Sequence, residues 1–270
     1  MKNSLRKFNI KQNKKIKIDN FINKALYEPK IGYYSRKIPF GQKGDFITSP
    51  TISNLFSEII AVWIISSWEI LGKPKTFNVV ELGPGDGSLS EVLVKTFKKF
   101  PVFNNSVKVF LYEKSVLLKK IQKKKIKAGN VKWIKDFQKI NKGPIIFFGN
   151  EFFDAIPVKQ FFYKNKKLLE KCYILNKQNL DETYCKPNLK DLLNLNSFKS
   201  LQKLEFIEYP KLGLEELSKI VKKIRSLSGG ILLIDYGFVG KLSKSTIQVV
   251  MKNKKIHKNN LLKYMGKADI

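Results

Sequence analysis

Three glycines at alternate positions follow a short apolar run, and this feature constrains the fold of the chain more than any other. The run at 77–82 has the composition of a buried strand, Gly83, Gly85 and Gly87 follow it, and helical spacing begins at Leu89. Glycines between a strand and a helix allow the backbone to approach a ligand at the helix N-terminus. The sequence therefore predicts an α/β domain with a ligand-binding turn at these glycines.

The remaining apolar pattern predicts a parallel sheet. Further strands are predicted at 107–112, 131–134, 144–149 and 231–234, and helices at 51–71, 89–100, 115–127 and 214–227. Continuous apolar strands separated by helices indicate a mostly parallel sheet with helices on both faces.

Two segments stand outside this pattern. Residues 1–25 are basic and roughly helical in their spacing, which predicts a helical N-terminal extension. A polar, poorly periodic insertion at about 161–210 separates the fourth strand from the fifth, and 161–163 and 171–175 within it are predicted to form a small hairpin. We therefore divide the chain into an N-terminal helical and lid region, 1–75, and a core at 76–270.

The spacing of the glycines selects among the ligands that such a turn can bind. A dinucleotide fingerprint would need its third glycine at the position of Ser88, and no Gly-Lys-Ser/Thr sequence is present for a phosphate-binding Walker loop. An acid, a leucine and three alternate glycines form the loop of class I methyltransferases, and Glu81 supplies the acid. The sequence therefore predicts S-adenosyl-L-methionine as the cofactor, bound by Glu81, Gly83, Gly85 and Gly87.

Two further acids follow the next strands. Glu113 ends the second strand and is placed to accept hydrogen bonds from a ribose diol, and Asp136 follows the third strand and could meet the adenine amino group. The alternative is a cluster of turn glycines with two surface acids. Three matches at successive strand ends favour a cofactor site in a Rossmann-like class I methyltransferase fold.

The charge of the chain first suggests a polyanionic partner. The formal net charge is +30, but all except Arg6, Arg36 and Arg225 of the 52 basic residues are lysines. Proteins that grip phosphates or read bases favour arginine because its planar fork bonds bidentately. The lysines occur in nearly every segment, so we read them as a solvated surface and disfavour nucleic acid as a partner.

Other residue types exclude several classes of site. Cys172 and Cys185 are the only cysteines and His257 is the only histidine, so neither a zinc site, a disulfide framework nor a histidine-based triad is predicted, and the cysteines are expected to pack. The uncharged stretch at 59–68 is about half of what a bilayer requires. The N-terminus has no apolar core of a secretory signal. We therefore expect a cytoplasmic protein without a membrane span, or a mitochondrial matrix protein in a eukaryote.

Five motifs together resemble a known family, the MidA-like methyltransferases, which include a mitochondrial complex I assembly factor that methylates protein arginine. The resemblance runs from about Leu26 to the last residue, and its motifs lie at 32–34, 44–50, 81–87, 150–158 and 233–237. It implies a methyltransferase that acts on an arginine side chain of a protein partner, by analogy a respiratory complex I subunit. The chain departs from the family pattern at Asp86, Thr51 and Ser57, where arginine, glutamate and glycine are usual.

The resemblance also implies roles for acids at the ends of the fourth and fifth strands. It places Asn150, Glu151 and Asp154 opposite the glycine loop, where Asn150 would contact the cofactor and the two acids would bind a planar, cationic acceptor. Asp235 would face the acceptor. The alternatives are that Glu151 and Asp235 cap helices and that Phe152 and Phe153 belong to the core.

A lid over the cofactor is implied for irregular N-terminal loops. The residues concerned are Tyr33, Tyr34, Asp45 and Thr48, although a packed tyrosine corner explains the tyrosines equally well. At the other end, Gly266 and Asp269 resemble the beginning of a helix, and family members continue beyond this segment. We therefore expect a truncated C-terminus that lacks the final strands and leaves a strand edge exposed.

Three functions stay open at this point. The first is a protein arginine methyltransferase, the second is a methyltransferase for another acceptor such as RNA, and the third is a non-catalytic assembly or binding protein with the same fold. The sequence leaves the acceptor, the degree of methylation and the oligomeric state undetermined.

Overall fold

A computed structural model describes residues 8–39, 53–165, 167–176, 179–237, 240, 244–251, 254–256 and 261–270. The first half contains β1 (Lys15–Lys17), α1 (Ile18–Tyr27), α2 (Tyr33–Arg36), α3 (Asn54–Ile70), β2 (Phe77–Leu82), α4 (Ser88–Phe97), α5 (Pro101–Ser106), β3 (Val107–Tyr112), α6 (Val116–Lys125) and β4 (Val131–Ile134). The second half contains β5 (Ile145–Asn150), β6 (Lys159–Lys164), β7 (Lys167–Asn176), β8 (Asn179–Cys185), α7 (Leu189–Asn196), a 3-10 turn (Leu201–Lys203), β9 (Phe206–Tyr209), α8 (Lys211–Leu227), β10 (Gly229–Ile234), β11 (Val249–Met251), β12 (Lys254–Ile256) and α9 (Leu261–Tyr264).

The chain forms two compact units that do not follow the predicted boundary at residue 75. The parallel-sheet unit comprises 38–155 and 216–236, and the antiparallel-sheet unit comprises 1–37, 156–215 and 237–270. The long helix α3, which we assigned to the N-terminal region, belongs to the parallel-sheet unit because its apolar face packs in the same core as strand β2.

The sheet of the parallel-sheet unit has the order β10-β5-β2-β3-β4, and each neighbouring pair is parallel. In the register of the sheet, Glu81 of β2 lies beside Leu111 of β3 on one side and Phe148 of β5 on the other. The strand order reverses between β2 and β5, and ligands of such sheets bind at this point, outside the carboxyl ends of the strands. The five predicted strands are confirmed, with shifts of one or two residues in β5 and β10.

Both faces of this sheet are covered, which explains why β2 is buried along its whole length. On one face Trp68 of α3, Phe97 of α4 and Phe103 of α5 pack together. On the other face Ile220 of α8 packs with Phe137 and Phe147. The predicted helices on both faces are confirmed.

One predicted helix ends earlier in the structure, and a further helix follows it. We expected a single helix at 89–100, but α4 ends at Phe97 and α5 begins at Pro101. Proline favours the first position of a helix, since it has no N–H to donate, so a new helix begins here.

The predicted insertion is more regular than its sequence pattern suggested. Strands β6, β7, β8 and β9 form an antiparallel sheet with β1, in which β7 pairs with β1, β6 and β8. A hairpin is confirmed at β6–β7, but 161–163 pair with 168–170. Residues 171–175, which we expected to form its second strand, lie further along β7 and pair with β8. Periodicity was weak because this sheet mixes buried and exposed positions and includes buried charges.

Three local expectations about this unit were wrong. Residues 15–17 form β1 rather than a helix, because Ile16 pairs with Tyr173 of β7. Cys172 and Cys185 do not merely pack, because the structure joins them as a disulfide between β7 and β8, with their Cα atoms 6.4 Å apart. Gly266 (φ +66°) follows helix α9 instead of beginning a helix, and Asp269 pairs with Val250 as an isolated bridge.

Within the described ranges, every helix is too short or too polar to cross a membrane. His257 lies outside these ranges.

Candidate active site

The glycine loop directly follows the carboxyl end of β2, in the parallel-sheet unit. Gly83, Gly85 and Gly87 all have left-handed backbones, with φ of +63°, +57° and +85°. Glycine adopts this region without the steric cost that a side chain brings. A Cβ atom on Gly83 would also lie 2.9 Å from Cδ2 of Phe152. The loop therefore requires glycine for its own conformation and for the close approach of neighbouring atoms.

Glu81 is buried beneath this loop, where it accepts a hydrogen bond from the Ser90 hydroxyl of α4. Burial is the largest cause that raises the pKa of Glu81, and the nearby carboxylates of Asp86 and Glu113 add to it. The Ser90 hydrogen bond opposes them, and together these effects raise the pKa to about 8. The carboxyl group is therefore mostly protonated at neutral pH.

Asp86 carries the charge that departs from the family pattern. Its carboxylate accepts hydrogen bonds from the backbone N–H of Ser88 at 3.0 Å, from the Ser88 hydroxyl at 2.8 Å and from Nζ of Lys125 at 2.7 Å. Burial by itself would raise the pKa of Asp86, but the bonds from Lys125 and Ser88 outweigh it and lower the pKa. The added negative charge is therefore paired within the protein.

Glu113 is buried at the carboxyl end of β3. Its Oε1 accepts a hydrogen bond from the Ser115 backbone N–H at 2.7 Å, and its Oε2 accepts one from Gln122 at 3.2 Å. Burial raises the pKa of Glu113, although both hydrogen bonds oppose this effect. Each oxygen has a further lone pair, which gives the carboxylate the chemistry required to accept bonds from a diol.

Asp136 is exposed beyond the end of β4, where its Oδ1 accepts a hydrogen bond from the Gln138 backbone N–H at 2.9 Å. Its charge acts on Tyr112 of β3, since burial, Glu216 and Asp136 together raise the pKa of that phenol. Asp136 thus lies near the carboxyl end of β3, as the strand order requires. Its contact with adenine stays a prediction.

The chain turns sharply where β5 ends at Asn150. Glu151 has a left-handed backbone with φ of +51°, and its N–H donates to the Ile234 carbonyl of β10 at 2.8 Å. This conformation is uncommon for residues other than glycine and occurs often at functional sites. Burial and the charge of Asp235 raise the pKa of Glu151, while a hydrogen bond with Asn150 lowers it.

Asp235 follows β10 and holds the turn after Glu151. Its Oδ2 accepts hydrogen bonds from the backbone N–H groups of Phe153 and Asp154, both at 3.3 Å, and its Oδ1 accepts one from Tyr236 at 2.9 Å. No helix begins at 235–237, so the helix-capping alternative for Asp235 was wrong. The side chains of Asp154 and Asp235 are both exposed.

Phe152 and Phe153 are half-buried and pack against the core on the α8 face of the sheet. Their rings meet edge to face with centroids 5.2 Å apart, and Phe152 also approaches Tyr112 at 6.4 Å. These contacts agree with the alternative that the two phenylalanines belong to the core.

Two of the four predicted lid residues, Tyr33 and Tyr34, belong to the antiparallel-sheet unit. Tyr33 is fully buried in the antiparallel-sheet unit and packs edge to face on Tyr34 at 5.0 Å, and Tyr34 stacks on Tyr27 at 5.5 Å. This packing agrees with the tyrosine-corner alternative, and a role in a lid stays a prediction. Asp45, Thr48 and Thr51 lie outside the described residues.

Sequence reasoning missed the residues that support the loop and the acids. They are Ser90 on α4, Gln122 and Lys125 on α6, and Trp133 on β4. One signal was present, because Gln122 is four residues from Leu118 on the buried stripe of a helix that otherwise carries lysines. A buried amide in such a helix indicates a hydrogen-bonding role.

The residues at these strand ends fit an adenosyl cofactor. The left-handed glycines keep side chains away from the helix N-terminus of α4, Glu113 offers a fixed carboxylate at the next strand, and Asp136 follows the third. No group of three or more possible metal ligands occurs among the residues that the structure describes.

Structural comparison supports the fold. A Burkholderia thailandensis protein, solved bound to S-adenosyl-homocysteine, superimposes with a TM-score of 0.76 at 19% identity, over 94% of this chain and 68% of that chain. A native crystal structure from the same organism gives 0.74 at 18% identity, over 94% and 67%. At these identities the likeness confirms the predicted fold.

Sequence comparison identifies relatives. The chain is 31% identical over 268 residues to the mitochondrial protein arginine methyltransferase NDUFAF7 of Xenopus laevis, which covers 86% of this chain and 59% of the relative. It is 34% identical over 178 residues to the Homo sapiens protein of the same name, over 57% of this chain and 40% of the relative. The chain thus spans 59% and 66% of the Xenopus laevis and Xenopus tropicalis relatives.

The family assignment rests on most of the chain. Residues 59–270 match the family described as "Putative S-adenosyl-L-methionine-dependent methyltransferase". The match includes the glycine loop, the acids Glu113 and Asp136 and the turn after β5. The cofactor predicted from the loop is therefore confirmed as that of the family. The chain therefore belongs to this family of S-adenosyl-L-methionine-dependent methyltransferases.

Proposed function

We propose that the protein transfers a methyl group from S-adenosyl-L-methionine to an arginine side chain of a partner protein. Membership of the methyltransferase family supports the reaction class, and the names of the relatives support arginine as the acceptor. A respiratory complex I subunit is the first partner to test, by the resemblance to MidA-like methyltransferases. The compartment that we propose is the mitochondrial matrix in a eukaryote, or the cytoplasm in a bacterium.

The observation that carries the proposal is the pair of carboxyl groups at the ends of β5 and β10. Glu151 is held in a left-handed backbone, and the charge of Asp235 is close enough to raise its pKa. Two carboxylates of like charge repel each other, and a guanidinium between or beside them would relieve this repulsion. Such a cation is also planar and can bond both oxygens of a carboxylate. The pair therefore favours a cationic, planar acceptor over a neutral one.

The protein's contribution to the reaction is orientation and proton transfer. The bound cofactor supplies an activated methyl group, so the protein needs no nucleophile of its own. Glu151 would orient the acceptor nitrogen and take up the proton that this nitrogen loses, because a carboxylate with a raised pKa is the better base. Asp235 keeps the turn in place through its bonds to the backbone of Phe153 and Asp154. Asp154 on this turn is the second acid that we propose for binding the acceptor.

Cofactor binding is tested first, by calorimetry with S-adenosyl-homocysteine. We expect Gly83→Ala to weaken binding at least about tenfold, because an L-residue at φ +63° is strained and its Cβ would press on Phe152. Gly129→Ala is the matched control, since a Cβ there meets no atom within 4 Å. Absence of binding by the parent chain would overturn the proposal.

The acceptor is tested by transfer of labelled methyl groups into a cell extract. We expect label in protein, recovered as methylarginine after hydrolysis, and a loss of about 100-fold in Glu151→Gln because the variant lacks the charge and the base. The control Glu205→Gln alters an exposed carboxylate in the antiparallel-sheet unit and should transfer normally. Label in RNA, or equal transfer by Glu151→Gln, would contradict the proposal.

A further inference from the structure

The buried side chain of Gln122 connects three segments of the candidate site. Its Nε2 donates to the Gly85 carbonyl in the glycine loop at 2.7 Å and to Oε2 of Glu113 at 3.2 Å, and its Oε1 accepts from Nε1 of Trp133 at 2.9 Å. Gly85 follows β2, Glu113 follows β3, and Trp133 belongs to β4. One amide on α6 thus joins the ends of three consecutive strands.

The orientation of this amide is determined by its partners. The indole N–H of Trp133 can only donate, so it requires the amide oxygen, and the Gly85 carbonyl can only accept, so it requires the amide nitrogen. The Glu113 carboxylate also accepts when ionised. Gln122 is fully buried, and every hydrogen bond that it loses would leave a buried polar group without its partner.

Helix α6 also packs closely against the loop at this residue. A Cβ atom on Gly87 would lie 3.2 Å from Cγ of Gln122, and 3.2 Å from Cδ1 of Ile126. The space between the loop backbone and the Gln122 side chain therefore has no room for a side chain at position 87 unless its neighbours shift. A movement of the amide would therefore displace both the Gly85 carbonyl and the Glu113 carboxylate, which it bonds.

We propose that Gln122 is a positioning residue that fixes the Glu113 carboxylate and the glycine loop in the geometry that binds the adenosyl group. The Ser115 N–H holds one Glu113 oxygen and Gln122 holds the other, so the carboxylate plane is set before a ligand arrives. Preorganisation of this kind lowers the ordering cost of binding. The inference rests on the proposed function, in which Glu113 meets the ribose diol.

Two substitutions of Gln122 separate its hydrogen bonds from its volume. Gln122→Met keeps the length of the side chain and removes all three bonds. Gln122→Glu keeps the acceptor for Trp133 and, when ionised, removes the donor to Gly85 and Glu113, so its binding is measured above pH 8 as well as at neutral pH. The matched control is Asn78→Leu. Asn78 is a buried amide on β2 whose Nδ2 donates to three backbone carbonyls, at 2.8, 3.1 and 3.2 Å, at the amino end of the strand.

The affinity of the full chain for S-adenosyl-homocysteine is measured by calorimetry, beside the melting temperature of each variant. We expect about tenfold weaker binding in Gln122→Met and in Gln122→Glu, the usual effect of losing a buried hydrogen bond to a charged group. Asn78→Leu should lower the melting temperature as much as Gln122→Met while its affinity for the ligand stays within about twofold of the parent.

A double-mutant cycle tests whether Gln122 acts through Glu113. The cost of Gln122→Met is measured again in the Glu113→Gln background, where no carboxylate remains to be positioned. We expect the tenfold cost to fall to about threefold or less, the remainder reflecting the Gly85 carbonyl. If Gln122 had a merely structural role, Gln122→Met would weaken binding by the same factor in both backgrounds.

The outcomes distinguish this inference from the proposed function. Equal affinity of Gln122→Glu and the parent, or an unchanged cost in the Glu113→Gln background, would overturn the role of Gln122 and leave the methyltransferase proposal in place. Loss of affinity in Asn78→Leu as large as in Gln122→Met would also overturn it, because any destabilised sheet would then bind poorly. Absence of binding by the parent chain would overturn both.

Discussion

The carboxylate of Asp86 shows how the glycine loop accommodates a departure from its family pattern. Arginine is usual at this position in MidA-like sequences, yet the negative charge of Asp86 is bonded to Ser88 and to Lys125. Lys125 is near the end of α6, where the last turn carries three lysines. The net charge of this pair is zero, so the substitution does not leave an isolated anion beside the cofactor loop.

Glu81 is the residue whose ionisation should be visible in stability. Its pKa is about 8 in the folded protein and near 4.5 in an unfolded chain, so the folded form retains a proton that the unfolded form has lost between these values. The contribution of Glu81 to stability is therefore complete below about pH 4.5 and is lost as the pH rises through 8.

We expect Glu81→Gln, which cannot ionise, to gain stability relative to the parent as the pH rises. The difference in free energy of unfolding should grow between pH 5 and pH 8.5 by an amount up to about 4 kcal/mol. Urea unfolding at several pH values measures it, with Glu91→Gln on helix α4 as the control. A difference that is independent of pH would show that Glu81 is ionised in the folded protein.

At the scale of elements, a buried ion cluster holds the antiparallel-sheet unit together. Nζ of Lys159 on β6 lies 2.6 Å from Glu170 on β7, 3.2 Å from Asp19 on α1 and 3.2 Å from Asp191 on α7. Lys17 and Lys211 complete the cluster at 2.6 and 2.7 Å from Glu170 and Asp191. Three lysines thus balance three acids where three strands, β1, β6 and β7, meet three helices, α1, α7 and α8.

We expect Lys159→Met to destabilise the protein by about 3–5 kcal/mol, since it leaves three buried carboxylates with fewer cations. Lys95→Met is the control, because Lys95 belongs to an exposed pair with Glu91 at 2.8 Å, and such pairs contribute about 0.3–0.5 kcal/mol. Chemical unfolding measures both variants. An effect of Lys159→Met as small as that of the control would mean that the cluster is hydrated and replaceable.

Elements with a strong local pattern were predicted well, and elements that depend on distant partners were not. The strands β2, β3 and β4 were predicted at their observed ends because continuous apolar runs are visible in the sequence. Strand β1 was predicted as helix, because its three residues become a strand only through pairing with β7, more than 150 positions away. Of the sheet in the insertion only one hairpin was predicted, because its strands mix buried and exposed positions and include buried charges.

At the scale of the whole molecule, the dominant property is the net charge of +30. Like charges distributed over the surface repel each other in the compact state, and salt screens this repulsion. The buried cluster around Lys159 has equal numbers of positive and negative charges, so its contribution to stability should depend little on salt.

We expect the melting temperature to rise by several degrees between about 0.05 M and 0.5 M sodium chloride, as screening relieves the self-repulsion. Differential scanning calorimetry in sodium chloride and in potassium chloride separates screening from specific ion binding, because both salts should give the same increase. A melting temperature that falls with salt would indicate that attractive ion pairs dominate the surface.

The sequence by itself determined the parallel sheet, the glycine loop after its first strand and the acid that ends its second. These features are local, since strand composition, glycine spacing and the strand-end position of Glu113 are properties of adjacent residues. Only the tertiary structure decided how the site is held. Gln122 meets Gly85 across 37 positions, Lys125 meets Asp86 across 39, and Asp235 meets Phe153 across 82. Such contacts arise from the packing of distant segments, and no periodicity within one segment encodes which buried polar group will face which.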